Sequence, residues 1–159
     1  MRILYVAFKG KGNSSNKIVS SFDGDKLFLT NSYMGLKRDI DSINETYDLI
    51  YMFGLDKQLR GDIRIDRIAA KDGVQLCSDI DLDAITTKLN ENGIAVSIGT
   101  TPTKYLCNEA YWYMLNKYDK RVVFFHVPSI GYITEEYIAN IRNAILIKST
   151  KRRRDNEQK

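Results

Sequence analysis

Apolar residues occur along the chain in short runs, which are separated by longer segments of mixed apolar and polar character. Near-continuous apolar runs at residues 2–7, 47–53 and 121–127 predict strands that are buried on both faces of a sheet. Shorter runs at 26–30 and 94–98 predict two further strands. The spacing between the runs is too long for simple hairpin turns, so other elements must lie between these strands.

One extended segment has a different pattern. In residues 62–69, charged or polar residues separate Ile63, Ile65 and Ile68, which predicts a strand with one polar face. Cys77 lies further along in a short segment that is compatible with either a strand or a turn.

The segments between the strands carry apolar residues at intervals of three or four positions, which is the spacing of one helix face. The pattern predicts helices over residues 33–45, 81–92, 105–118 and 135–148, and a short helix over residues 17–21. Asn92 and Gly93 form a C-terminal cap for the second of these helices, and Thr134 is a suitable N-cap for the last one.

Strands that alternate with helices of this length predict βαβ units and a sheet that helices cover on both faces. We therefore predict an α/β fold: a three-layer α/β/α sandwich with a mostly parallel, mixed central sheet. A chain of 159 residues suits one domain, which we place at residues 1–148. The runs 47–53 and 121–127 belong at the buried centre of the sheet.

The positive charge of the chain is confined to its C-terminus. The sequence has 24 Lys and Arg against 20 Asp and Glu, a net charge of +4, and residues 148–159 alone hold six basic and two acidic side chains. The rest of the chain is neutral and has no basic stripe, so we expect no nucleic-acid partner. Residues 149–159 are predicted to form a basic, disordered tail.

Cysteine content and hydropathy exclude two classes of protein. Cys77 and Cys107 are the only cysteines, which excludes a small scaffold held together by disulfides. No apolar run approaches the roughly 20 residues of a membrane span, and the apolar start of the chain lacks a signal-peptide cleavage site. We expect a cytoplasmic protein with reduced thiols and no membrane partner.

Two side chains are candidates for catalysis. His126, the only histidine, lies at the end of a predicted strand, and Cys107 lies early in a predicted helix near Lys104, where a thiol pKa can fall. Because each follows a strand, they can meet at one sheet edge as a base and a nucleophile. A lone histidine without a CxxC pattern argues against a metal site, and Gly10 and Gly12 do not complete a phosphate-loop motif.

The sequence around both residues resembles a known family. The segment Tyr105-Leu-Cys-Asn108, then residues 111–115 and Val123-Phe-Phe-His-Val-Pro128, resemble pyroglutamyl-peptidase I, the pyrrolidone-carboxylate peptidases. That family has a [Phe/Tyr]-x-Cys-Asn segment at a helix start and a strand that ends in His-[Ile/Val]-Pro. The resemblance extends in consistent order over about residues 1–148, and it implies that Cys107 is the nucleophile and His126 the general base.

The resemblance also implies the other site residues. The family's catalytic acid is a Glu in a Glu-Arg-Val-Ala-x-Asn segment, which Asp66-Arg-Ile-Ala-Ala-Lys71 matches, so Asp66 is the implied acid. Arg60 matches a family arginine six residues earlier, and Phe8 is the nearest counterpart of an aromatic residue in the pyroglutamyl pocket. With Thr103, which precedes the Cys107 segment, these are the implied substrate-binding residues.

The reaction implied by the resemblance is acyl transfer through a thioester, which removes an N-terminal pyroglutamyl residue from a peptide. Cys107 attacks the carbonyl, His126 moves the proton, and Asp66 orients His126. The implied partners are a peptide with an N-terminal pyroglutamate and further copies of the chain in a dimer or tetramer. The chemistry requires no metal and no organic cofactor.

Departures from the family pattern keep a second function open. Pro102 removes a backbone donor, and Thr103 replaces a glycine in the loop that would hold the oxyanion. Asp66 is one methylene shorter than the family's Glu. The alternative is a catalytically altered or inactive member of the fold that acts on another amide or serves as a binding or assembly protein.

The start of the Cys107 helix also has two possible positions. With Thr101 as N-cap, Cys107 lies in the second turn, and with Thr103 as N-cap it lies about one turn in. Lys104 is predicted to be exposed, so salt screens its charge. We therefore expect His126 to be the main source of thiolate character at Cys107.

Overall fold

The computed structural model describes residues 1–146, and the predicted tail at 149–159 lies outside them. The strands are β1 (Ile3–Phe8), β2 (Asp25–Leu29), β3 (Leu49–Leu55), β4 (Ile63–Asp66), β5 (Ile68–Lys71), β6 (Val74–Cys77), β7 (Val96–Gly99) and β8 (Val122–Val127). The α-helices are α1 (Ser14–Ser20), α2 (Tyr33–Asp41), α3 (Leu82–Glu91), α4 (Tyr105–Lys117) and α5 (Glu135–Ile145). A short 3₁₀ helix, Ile130–Tyr132, lies between β8 and α5.

Six of these strands form one mixed sheet in the order β2-β1-β3-β8-β4-β7. The first four run parallel to one another, whereas β4 is antiparallel to β8 and β7 is parallel to β4. The two central strands, β3 and β8, are the near-continuous apolar runs, and every residue of β8 is buried. The predicted α/β fold with a mostly parallel, mixed sheet is confirmed.

Helices cover both faces of this sheet and complete three layers. On one face, α1, α3 and α5 pack on an aromatic cluster in which the rings of Phe53 and Phe125 stack at 4.9 Å. On the other face, α2, α4 and the β5–β6 hairpin pack on residues that include Met52 and Phe124. Side chains alternate along a strand, so Phe124 and His126 point to the α4 face and Phe125 points away from it.

The extended segment at 62–69 consists of two strands rather than one. The chain breaks at Arg67: β4 stays in the main sheet, and β5 turns into a hairpin with β6. The two turn residues, Asp72 and Gly73, both have positive φ, 51° and 78°, as a two-residue type I′ turn requires. The Asp-Gly dipeptide is the signal in the sequence for this hairpin.

Other boundaries shift for local reasons. α1 begins at Ser14 rather than at residue 17, because Oδ1 of Asn13 accepts a hydrogen bond from the amide of Ser15 and caps the helix there. α2 ends at Asp41, four residues early. β3 lies two residues later than the predicted run 47–53, since it begins at Leu49 and continues through Gly54 to Leu55.

Thr134 caps α5 as predicted, since its Oγ1 accepts a hydrogen bond from the amide of Tyr137 at 3.0 Å. Thr134→Ala should lower the free energy of unfolding by about 1 kcal/mol, measured as a lower urea midpoint at an unchanged m-value. Thr87→Ala, on the exposed side of α3, is the matched control and should keep or raise stability because alanine favours helix. Equal losses in the two variants would contradict the capping role.

Candidate active site

An open cavity of about 780 Å³ lies beyond the C-terminal ends of β3 and β8. Residues 55–58, which end and follow β3, line one side, and residues 103–107, at the start of α4, line another. Arg64 and His126 complete the lining from the sheet. The predicted nucleophile Cys107 and the predicted base His126 therefore face the same cavity.

A glycine in β3 makes room for Cys107 beside His126. Gly54 is the register partner of His126 in the neighbouring strand, so both positions point to the same face of the sheet. A Cβ at position 54 would lie 2.9 Å from Sγ of Cys107 and 2.8 Å from Cζ of Phe124. The Cys107 sulfur thus occupies the space that a side chain at position 54 would need.

Asp66 contacts His126 from the other neighbouring strand. Oδ2 of Asp66 lies 2.8 Å from Nδ1 of His126, and the two side chains are only 2% and 4% exposed. The approach lacks the angle of a hydrogen bond, so the contact is electrostatic and strengthens when His126 is protonated. The register partner of Asp66 in β8 is Phe124, which places the carboxylate on the same face as Cys107.

A second glycine accommodates the Asp66 carboxylate. Gly99 in β7 is the register partner of Asp66, and a Cβ there would lie 2.7 Å from Oδ1 of Asp66 and 3.1 Å from Cδ of Arg64. From the helix above, the hydroxyl of Tyr111 donates a hydrogen bond to the backbone carbonyl of Asp66 at 2.7 Å. The end of β4 is therefore fixed from both the sheet and α4.

Cys107 and His126 line the same cavity for a different topological reason from the predicted one. The sequence predicts a meeting at one sheet edge because each residue follows a strand. In the structure β7 runs antiparallel to β8, so the chain leaves β7 at the opposite end, and the connection 100–104 carries it to the cavity. What unites Cys107, His126 and Asp66 is a shared face of the sheet under α4.

The helix of Cys107 begins later than either predicted N-cap allows. Its N-cap is Lys104, without a capping side-chain hydrogen bond, rather than Thr101 or Thr103. The first helical residue, Tyr105, has a φ of 72°, a strained left-handed backbone for a bulky side chain. Cys107 consequently lies in the first turn of α4, nearer to the positive end of the helix than predicted.

Only one of the three predicted substrate-binding residues reaches the cavity. Thr103 is part of its lining. Phe8 is buried in the core under α2 and α4, with 3% of its surface exposed, and is not part of the lining. Arg60 is exposed in the loop before β4, where its amide donates a hydrogen bond to Asp62, and it too lies outside the lining.

Two charged residues at the cavity escape prediction from the sequence. Nε of Arg64 donates a hydrogen bond to Oδ1 of Asp66 at 2.9 Å, and its Nη1 donates to Oδ2 of Asp56 at 2.7 Å. The available signal is the alternation of Ile63-Arg-Ile-Asp66, which puts Arg64 and Asp66 on one strand face.

Within residues 1–146, no three His, Cys, Asp or Glu side chains cluster as a metal ion would require.

Solved structures share this whole architecture. The pyrrolidone carboxyl peptidase of Thermococcus litoralis matches with a TM-score of 0.75 at 19% identity, over 99% of this chain and 96% of its own. The enzyme of Pyrococcus furiosus matches at 0.75 and 20% identity, over 92% and 97%, and that of Fervidobacterium islandicum AW-1 at 0.74 and 19%, over 92% and 96%. The chain has the pyrrolidone carboxyl peptidase fold. The resemblance seen in the sequence is confirmed.

A curated sequence relative points the same way. Pyrrolidone-carboxylate peptidase 1 of Saccharolobus solfataricus is 33% identical to this chain over 92 residues. That match spans 56% of this chain and 40% of the relative's length. No family model matches the chain. The chain is thus similar in sequence to part of this peptidase and spans less than half of its length.

Within this pyrrolidone carboxyl peptidase fold, the Cys107 thiol is protonated at neutral pH. Burial and, to a smaller extent, the negative charge of Asp66 raise the pKa of Cys107 to about 12, whereas Arg64 acts in the opposite direction. This differs from the expectation that His126 gives Cys107 thiolate character. The resting site therefore holds a thiol that must lose its proton before or during any attack.

Gly54→Ala tests the close approach of Cys107 to the sheet. The added methyl group would collide with the Cys107 sulfur and the Phe124 ring, so we expect a loss of about 1–3 kcal/mol in the free energy of unfolding, measured by urea denaturation. Gly131→Ala, where a Cβ would meet nothing within 4 Å, is the control and should keep wild-type stability. Two equally stable variants would show that the sulfur does not occupy this space.

Asp66→Asn tests the protonation state of Cys107. Removing the carboxylate charge should lower the pKa of the thiol, so iodoacetamide should modify Cys107 faster at a given pH between about 7 and 11. Peptide mass analysis separates Cys107 from the exposed Cys77, and Asp83→Asn, at an exposed position of α3, is the control. Slower modification in Asp66→Asn would mean instead that Cys107 and His126 form an ion pair at rest.

Proposed function

We propose that this protein is a cysteine peptidase that removes an N-terminal pyroglutamyl residue from peptides. The observation that carries the proposal is the common placement of Cys107, His126 and Asp66 on one face of a pyrrolidone carboxyl peptidase fold, beside a cavity. A nucleophile, a base and an orienting acid are the three groups that acyl transfer through a thioester requires.

Cys107 is the proposed nucleophile and His126 the proposed base. As the sulfur attacks the carbonyl carbon that follows the pyroglutamyl ring, the thiol proton passes to His126, and an S–C bond replaces the C–N bond of the peptide. Asp66 contacts Nδ1, which leaves Nε2 to accept the proton, and its charge stabilises the imidazolium. His126 gives the proton to the leaving amine, and water then hydrolyses the thioester.

The start of α4 supplies the proposed oxyanion site. The first amide groups of a helix have no acceptor within the helix, and residues 103–107 border the cavity. Pro102 cannot donate a hydrogen bond, so the donors must lie after it. The amide of Cys107, in the first turn, is the donor that moves with the nucleophile.

A second function is favoured by the charges around the cavity. The pyroglutamyl ring is an uncharged lactam, which suits an apolar slot with few polar groups. The lining includes Leu55 and Leu106, and it also includes four charged residues: Asp56, Lys57, Arg64 and Lys104. A thiol-dependent amidase of the same mechanism that acts on a more polar amide is therefore the alternative.

We propose that the protein acts in the cytoplasm. We also propose that it forms a dimer or tetramer of this chain, as the family resemblance implies. Both cysteines are free thiols, which a cysteine nucleophile requires. In the part of the chain that the structure describes, no helix has the length and apolar character needed to cross a bilayer. Light scattering during size-exclusion chromatography measures the assembly directly.

Hydrolysis of a fluorogenic pyroglutamyl amide tests the proposed function. We expect wild-type protein to release the fluorophore, and Cys107→Ala to lower kcat/KM by at least about 10³-fold because the nucleophile is gone. Cys77→Ala is the matched control, since Cys77 is exposed on β6, and it should stay within about twofold of wild type. Melting curves for both variants confirm folding.

The negative outcomes separate the alternatives. If wild type leaves the pyroglutamyl amide intact but hydrolyses other N-acyl amides through Cys107, the protein is an amidase of altered substrate. If it hydrolyses none of these amides and Cys107 resists iodoacetamide, the protein is a non-catalytic binding or assembly protein.

A further inference from the structure

Arg64 lies between the proposed catalytic acid and a second carboxylate at the cavity wall. It bridges Oδ1 of Asp66 and Oδ2 of Asp56 through two different nitrogens. The Asp66 side chain is 2% exposed, whereas Arg64 and Asp56 are 25% and 21% exposed. The guanidinium therefore connects the buried acid to the edge of the cavity.

The geometry explains why Asp66 needs this support. An aspartate carries its carboxylate one methylene closer to the backbone than a glutamate does, so its orientation decides whether it reaches His126. Arg64 engages Oδ1, and Oδ2 is left 2.8 Å from Nδ1 of His126. Arg64 is also the register partner of His126 across β4 and β8, so the two side chains share a face.

The charge of Arg64 would oppose the proposed mechanism if it stood alone. The titratable and charged groups around His126 come from three elements: Arg64 and Asp66 in β4, Asp56 and Lys57 after β3, and Lys104, Tyr105 and Cys107 at the start of α4. A cation near His126 disfavours its protonated form. Asp56 offsets that cation at 2.7 Å, and its own charge also interacts with that of His126.

We propose that Arg64 and Asp56 are positioning residues for the catalytic pair. Arg64 holds the Asp66 carboxylate towards His126, and Asp56 neutralises Arg64 so that the guanidinium does not weaken His126 as a base. The inference rests on the proposed function, because it assigns roles around the same Cys-His-acid set.

The test measures kcat/KM against pH for Arg64→Met, Asp56→Asn and the double variant. Arg64→Met should lower kcat/KM on the order of 10²-fold with KM within about twofold, since a misplaced acid impairs the chemistry rather than binding. In Arg64→Met, loss of the cation should move the acidic limb of the kcat/KM–pH profile to higher pH by about half to one unit. Asp56→Asn should move this acidic limb to lower pH by a similar amount. The double variant should return the limb to its wild-type pH while the rate stays low.

Two further variants separate positioning from charge and from stability. Arg64→Lys keeps the charge but loses the planar fork that reaches two carboxylates, so the acidic limb should stay in place while the rate remains low. Arg38→Met, at an exposed position of α2, is the control and should change neither quantity. If Arg64→Met fails to fold, Arg64→Lys and Asp56→Asn carry the test.

Alkylation of Cys107 reads the same charges without a substrate. Arg64→Met should slow iodoacetamide modification at a given pH, and Asp56→Asn should speed it, because the two charges act on the thiol pKa in opposite directions. If wild type hydrolyses no pyroglutamyl amide but these opposite shifts appear, the charge relationship stands and the proposed function fails. The inference would be overturned if the pH profiles of alkylation and of activity stay as in wild type in Arg64→Met and Asp56→Asn. It would also be overturned if both variants shift these profiles in the same direction.

Discussion

The candidate site depends on two strand positions that carry no side chain. Gly54 lies beside His126 and leaves room for the Cys107 sulfur, and Gly99 lies beside Asp66 and leaves room for its carboxylate. In each case a Cβ would stand less than 3 Å from a site atom. Tightly packed interiors tolerate such overlaps poorly, so a side chain at either position would displace Cys107 or Asp66.

Burial at this contact determines the electrostatics of the site. The Asp66–His126 pair is almost fully enclosed, and charges interact more strongly there than in water. The same enclosure keeps the Cys107 thiol protonated by raising its pKa. The negative charge of Asp66, which disfavours a thiolate, lies against Nδ1 of His126. In the proposed mechanism, proton transfer from Cys107 to His126 is therefore coupled to the attack of the sulfur on the carbonyl. The negative charge then passes to the carbonyl oxygen of the substrate rather than staying on the sulfur.

The sequence predicts the elements of this fold better than their arrangement. The runs that became β3 and β8 and the cap at Thr134 follow from local patterns of burial and hydrogen bonding. The antiparallel direction of β4 and the break at Arg67 depend on partners distant in the chain, which periodicity does not encode. Gly54 illustrates the difference. In the sequence it directly follows the apolar run 47–53, and only the packing of Cys107 in α4 shows why a glycine is needed there.

The loop after β3 forms part of the cavity wall and is also linked by hydrogen bonds to the acid of the proposed catalytic pair. Asp56 lines the cavity, and it also holds Arg64, which holds Asp66. A change of charge in this loop would alter what the cavity can bind and, through two hydrogen bonds, how the acid supports His126. In the proposed mechanism, substrate choice and base strength are therefore linked. A variant with a new specificity at Asp56 would need a compensating change at Arg64 to keep the same pH dependence.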